Sequence, residues 1–130
     1  MDKTPMRSIL IVDDQPTNLR LATRMLAGTP WRVTVAESGE EALELTETTT
    51  YDVVLLDLSM PVISGIDVAQ KLRSKENQTP PYLIACTAYG SYLSESSTTG
   101  LFDMTLVKPF LRAKLLQTLS EVESILQARK

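Results

Sequence analysis

The 130-residue chain predicts an α/β fold: a doubly wound parallel sheet of five strands, each followed by a helix, (βα)5. Two observations carry this. Short apolar runs alternate five times with longer amphipathic ones, as in units whose crossovers lay helices on both faces of a parallel sheet. The central runs are apolar throughout rather than alternating, as strands buried on both faces are.

The elements follow in order. "SILIVD" (8–13) is a buried strand. "PTNLRLATRMLAG" (16–28) is a helix: Pro16 suits its first turn, Leu19, Ala22, Met25 and Leu26 share one face, and Gly28 stops it. "WRVTVAE" (31–37) alternates as a strand does. "SGEEALELTE" (38–47) is a helix with Ser38 as N-cap and Glu41 completing a capping box, closed by the β-branched Thr48–Thr50. "YDVVLLD" (51–57) is a second near-continuous apolar strand, and "MPVISG" (60–65) a loop. "IDVAQKLRS" (66–74) is a helix with a polar exit, and "YLIACT" (82–87) a strand. Residues 90–100, "GSYLSESSTTG", hold poor helix formers and make at best a short helix. "DMTLVK" (103–108) is the last strand. The stretch 110–129 is a long helix with Leu115, Leu119, Val122 and Leu126 along one face. It runs nearly to Lys130, so the expectation is one domain over residues 1–130, core about 7–128, with no effector domain after it.

Composition narrows the chemistry. A net charge of −3 and a pI near 4.9 argue against direct nucleic-acid binding. "MDKTPMRS" lacks the apolar stretch of a signal peptide, and no apolar run approaches the ~20 residues of a membrane helix. The expected location is cytoplasmic, without membrane insertion. The one cysteine, Cys86, sits in an apolar run and reads as a buried reduced thiol. There is no histidine. That excludes histidine acid–base chemistry, histidine metal ligands and a phosphohistidine within this chain. Carboxylates, hydroxyls and lysine remain.

Those groups fall at strand ends. The first strand ends in Asp13 and Asp14, the third in Asp57, the fourth in Thr87 and the fifth in Lys108. In an open parallel sheet all carboxyl ends share one edge, the usual binding crevice. Five polar residues spread over 95 positions should therefore converge. Three carboxylates repel one another and call for a cation, or for one of them to take up a proton. Hard oxygen ligands suit Mg²⁺, which keeps several waters. A lysine and a hydroxyl beside a metal suit a phosphoryl group, and a carboxylate can serve as its nucleophile. Asp57 is the candidate, being central and leading into a loop. Capping explains a lone Asp-Asp after a strand; it does not explain polar residues at four of five strand ends.

Together "ILIVDD", "VVLLDLSMPVISG", "IACTA" and "TLVKPF" resemble the receiver domain of two-component response regulators, over residues 7 to 128. The resemblance implies a flavodoxin-like sheet of strand order 2-1-3-4-5. It implies phosphorylation of Asp57, with Mg²⁺ (or Mn²⁺) held by Asp13, Asp14, Asp57 and the Ser59 backbone carbonyl. Thr87 would hydrogen-bond the phosphoryl group and Lys108 would pair with it. Lys108–Pro109 is expected to be cis, as only X-Pro readily allows, and Pro61 and Gly65 are structural members of the loop motif. The phosphoryl donor would be a phosphohistidine on a histidine kinase or histidine phosphotransfer domain. The output, an attached domain or a protein partner, would be met through residues 88–128, with Ala88, Tyr89 and Thr105 on the switch face. "DDQPTN" (13–18) further resembles receivers of hybrid sensor kinases and phosphorelays.

Two departures stand out. Thr105 occupies a position usually held by an aromatic ring that swings inward, so the expected switch works through backbone and loop order. The segment 90–100 is short and rich in Ser, Thr and Gly. The chain is expected not to be an enzyme beyond its own phosphorylation and hydrolysis. Two rivals share the chemistry or the fold. A haloacid-dehalogenase-type phosphatase would carry an acid two residues after its nucleophile, where this chain has Ser59. A non-phosphorylated pseudo-receiver would not need the full set of acids, Thr87 and Lys108. The chain could also be a receiver excised from a hybrid histidine kinase.

Overall fold

Five parallel strands form one sheet in the computed structural model, which describes residues 7–58, 60, 62–74, 80–87 and 101–128. The strands are β1 (Arg7–Val12), β2 (Trp31–Ala36), β3 (Val53–Asp57), β4 (Tyr82–Thr87) and β5 (Met104–Val107). Their spatial order is β2-β1-β3-β4-β5, every neighbouring pair parallel. This is the order the resemblance implied. The described helices are α1 (Pro16–Met25), α2 (Gly39–Thr48), α3 (Gly65–Arg73) and α4 (Arg112–Ala128). The short helix expected within 90–100 lies outside the described residues.

Side chains of a strand alternate between faces, and here they feed two separate cores. Ile9, Ile11, Leu55, Ile84 and Leu106 pack with Leu19 of α1 and Leu115 and Leu119 of α4. Leu10, Val12, Val54, Leu56 and Leu83 pack with Ala42 of α2 and Val68 and Leu72 of α3. Each fully buried aliphatic side chain contributes about 1.5–3 kcal/mol over leaving it exposed. Between Ile9 and Val12 in β1, and between Val53 and Leu56 in β3, neither face is polar, so polar side chains fall only at the two ends of these strands. Trp31 is partly buried against the first cluster, as packing rather than as part of the polar edge.

The helix starts differ in detail from the sequence pattern. Ser38 caps α2 by accepting from Glu41 N at 3.0 Å. The Glu41 carboxylate, however, accepts from Glu37 N at 2.7 Å, one residue short of closing the expected box. The reciprocal box is at α3 instead, where Ser64 and Asp67 cap each other. Helix α1 ends at Met25, and Gly28 follows at φ +83°, a left-handed conformation that glycine adopts without steric cost.

At the amino edge of the sheet, charges are paired across long sequence distances. Arg7 Nε lies 3.0 Å from both carboxylate oxygens of Glu123, and its Nη1 is 3.8 Å from Asp52. Arg7 Nη2 has no hydrogen-bond partner among the described residues. Asp52 accepts from Ser8 N at 2.8 Å. Arg73 donates to Asp103 at 2.9 Å and to the Leu101 carbonyl at 3.0 Å, while Asp103 also accepts from Leu83 N at 2.8 Å. Among the described residues no helix is long and apolar enough to cross a membrane.

Candidate phosphoacceptor and metal site

Three of the strand pairs are tied by one more backbone bond at the point where a chain leaves the sheet. Asp13 N donates to Ala36 O at 3.1 Å, Leu58 N to Cys86 O at 3.1 Å and Lys108 N to Thr87 O at 2.8 Å. These bonds carry the order of the sheet into the residues that leave it. Asp13, Asp57, Thr87 and Lys108 are thereby held on backbone as regular as the strands themselves.

The carboxylates of Asp13, Asp14 and Asp57 each offer an oxygen lying within 4.8 Å of the other two. Asp13 and Asp57 are buried and Asp14 is half-buried. Lys108 Nζ sits 2.8 Å from Asp13 Oδ2 and 3.4 Å from Asp57 Oδ2, one ammonium shared by two acids. Burial pulls the pKa of this lysine down, but the Asp13 hydrogen bond and the Asp13 and Asp57 charges outweigh it, leaving a net rise. Lys108 is therefore a fixed positive charge at physiological pH.

Asp13 is further held by its own loop. Its Oδ1 accepts from Gln15 N at 2.9 Å, and its Oδ2 accepts from Asn18 Nδ2 at 3.2 Å as well as from Lys108. Gln15 is the N-cap of α1 but makes no side-chain capping bond; Asp13 takes up the Gln15 N–H instead. Asn18 is the contact that sequence reasoning missed. Its signal was present, since five residues after Asp13 is the first turn of a helix beginning at Pro16.

Thr87 is buried at the end of β4, bonded through its carbonyl to Lys108. Burial pushes the neighbouring Cys86 thiol up to about 12; Lys108 opposes this, and Asp57 and Asp13 add to it. Gly65 explains the glycine of the loop motif. A Cβ there would run into the Asp57 carbonyl oxygen and lie 3.0 Å from its carbon, so α3 starts directly on the Asp57 peptide group. Val62, in the same loop, has φ +66° and is almost fully exposed, a strained conformation for a β-branched residue. Lys108–Pro109 is cis. Thr105 is exposed on β5, level with Ala85. Ser59, Pro61, Ala88 and Tyr89 lie outside the described residues. Beside the acids, a cavity of about 250 Å³ runs between α1 and the β5–α4 loop, with Asp13, Asn18 and Lys108 at its polar end and Met25, Cys86 and Phe110 along its apolar wall.

This constellation matches known proteins. Residues 9–120 match the family model described as response regulator receiver domain. The chain is 34% identical over 110 residues to the transcriptional regulatory protein ResD of Bacillus subtilis, covering 85% of this chain and 45% of ResD. The chain spans less than half the length of the first curated relatives it matches. Among solved structures, it is similar to the response regulator TrrA of Thermotoga maritima, in complex with Mg²⁺ and BeF: TM-score 0.80, 36% identity, 90% of this chain and 99% of that one. It is also similar to the receiver domain of a sensor histidine kinase from Pseudomonas aeruginosa PAO1, with a magnesium ion in its active-site cleft: TM-score 0.80, 31% identity, 90% of this chain and 97% of that one. With the strand order, the gathered acids and these matches together, the chain belongs to the response regulator receiver domains of two-component signalling.

Proposed function

We propose that Asp57 accepts a phosphoryl group with Mg²⁺, or Mn²⁺ in its place, held by Asp13, Asp14 and Asp57. The observation that carries this reading is the gathering of three carboxylates within 4.8 Å around a single lysine. Among the described residues three carboxylates stand against one ammonium, a set that favours taking up a further cation. An all-oxygen donor set fits a hard divalent ion that retains waters. Ser59 would add its backbone carbonyl. When bound, the ion neutralises charge on the transferring phosphoryl oxygens.

The chain's own residues do the rest. An Asp57 carboxylate oxygen attacks phosphorus; the bond to the donor nitrogen breaks and its electron pair leaves with the imidazole. Lys108, already 3.4 Å from Asp57, moves to a phosphoryl oxygen, and the Thr87 hydroxyl donates to another. Gly65 lets α3 approach so closely that the acceptor's backbone cannot recede. With no histidine in the chain, the donor is a phosphohistidine on a separate histidine kinase or histidine phosphotransfer domain. The similarity to both a transcriptional regulator and the receiver of a sensor kinase supports this partner class. The product signals through residues 88–128 to an output domain or partner protein in the cytoplasm. The domain turns over no substrate beyond its own aspartyl-phosphate.

The test is incubation with acetyl phosphate and Mg²⁺, followed by intact mass. One phosphate is expected on the wild type and none on Asp57→Asn. No adduct from either acetyl phosphate or a phosphohistidine donor would sink the proposal.

A further inference from the structure

The Asp13 carboxylate raises a question about the transfer step. It is buried, and its strongest partner is Lys108 at 2.8 Å. Phosphorylation draws that lysine toward the new phosphoryl oxygens on Asp57. A buried carboxylate that loses a charged donor incurs a large desolvation cost and is free to rotate. Its other donors among the described residues are Gln15 N, on Oδ1 at 2.9 Å, and Asn18 Nδ2, on Oδ2 at 3.2 Å. Asn18 therefore shares with Lys108 the one oxygen that the lysine would vacate.

We propose that Asn18 is a positioning residue that keeps Asp13 oriented for the divalent cation while Lys108 passes to the phosphoryl group. The inference rests on the metal and phosphoacceptor reading above and adds a regulator of that same site. The chemistry of the amide suits the task. It is a donor, so it fixes the orientation of Asp13. It is neutral, so it leaves the negative charge of Asp13 available to a cation. A lysine or arginine at this place would compete with the metal, and an aspartate would add a fourth repelling acid. Asn18 also stands in the first turn of α1, on backbone that does not depend on the β5–α4 loop. It can therefore stay when Lys108 moves. Groups that orient a ligating side chain in this way commonly change metal affinity by about 10–100-fold when removed.

The experiment is a Mg²⁺ titration followed by amide chemical shifts, with no phosphoryl donor present. Asn18→Leu removes the donor while keeping a side chain branched at the γ position and improves helix propensity, so α1 is retained; thermal unfolding verifies this. Mg²⁺ affinity should fall about tenfold and recover in large part in Asn18→Gln. The loss should be greater in a Lys108→Ala background, where Asn18 is the last side-chain donor to Asp13 among the described residues. Asn18→Leu titrating within twofold of the wild type would overturn the proposal. So would losses that are independent of Lys108→Ala, since the two donors would then not share a task. A wild type that takes up no Mg²⁺ would instead overturn the metal-site reading, and this inference with it. The two failures are told apart by which protein shows them.

Discussion

The two edges of the sheet both carry buried charge, and they handle it in opposite ways. At the amino edge, Arg7 and Arg73 stand among Asp52, Asp103 and Glu123, with each acid held by a guanidinium, a backbone N–H or both. The acids are spread apart, and each pairing joins elements distant in sequence. At the carboxyl edge, three acids are gathered and one ammonium is divided between two of them. The same residue types thus brace the fold at one end and, among the described residues, set three acids against one ammonium at the other. Spread charge is architecture; gathered like charge is a demand for a ligand.

That contrast can be broken at either end. The largest effect on stability is expected at the amino edge: Arg7→Ala strips Glu123 and Asp52 of a buried partner and should cost about 2 kcal/mol, since both acids keep some access to water. Urea denaturation measures this, with the Mg²⁺ titration of the folded variant unchanged. If Arg7→Ala were neutral in stability, the amino edge would not be a brace.

At the carboxyl edge the sign reverses. Asp14→Asn removes one of three mutually repelling charges and, without divalent ions, should raise stability by about 1 kcal/mol. The same change should weaken Mg²⁺ binding at least tenfold. A destabilised Asp14→Asn would mean that the acids are satisfied as they stand.

Apart from stability and metal affinity, the wall of the site predicts a reaction that hardly proceeds. With the Cys86 thiol pushed up to about 12 from an ordinary value near 9, its reactive thiolate is scarce at pH 8. Alkylation of the native protein should run about a thousandfold slower than that of an exposed thiol. It should rise about tenfold per pH unit toward pH 10. A fast, pH-independent reaction would show that the wall beside Lys108 opens.

The parts of this legible in the sequence are those that depend on counting. Strand faces repeat every two residues, so Ile9 to Val12 and Val53 to Leu56 declared burial on both sides, and their ends declared a shared edge. Asp13, Asp14, Asp57 and Lys108 met there because parallel strands leave them no other place. What stayed illegible depended on distances across turns. The Asn18 amide reaches Asp13 only because α1 begins at Pro16 and brings its first turn back over the loop. Glu41 closes on Glu37 rather than Ser38 through a choice between adjacent N–H groups that a spacing rule does not make. The Ser64–Asp67 box was hidden by an aspartate where the rule names glutamate or glutamine. Gly65 was marked by its motif, but its reason, the Asp57 carbonyl oxygen, lies eight residues back along the chain.

The extra backbone bonds at Ala36, Cys86 and Thr87 have a consequence for how such a chain can change over time. The strands are locked to one another right up to the residues that leave them, so the parity of each strand is locked too. Aliphatic side chains within β1 or β3 can be exchanged for others of similar volume with little effect on the acids. A single-residue deletion between Ile9 and Asp13 cannot be absorbed, because it turns every later side chain of that strand to the opposite face. Such a domain can drift widely in substitution while remaining nearly fixed in strand length.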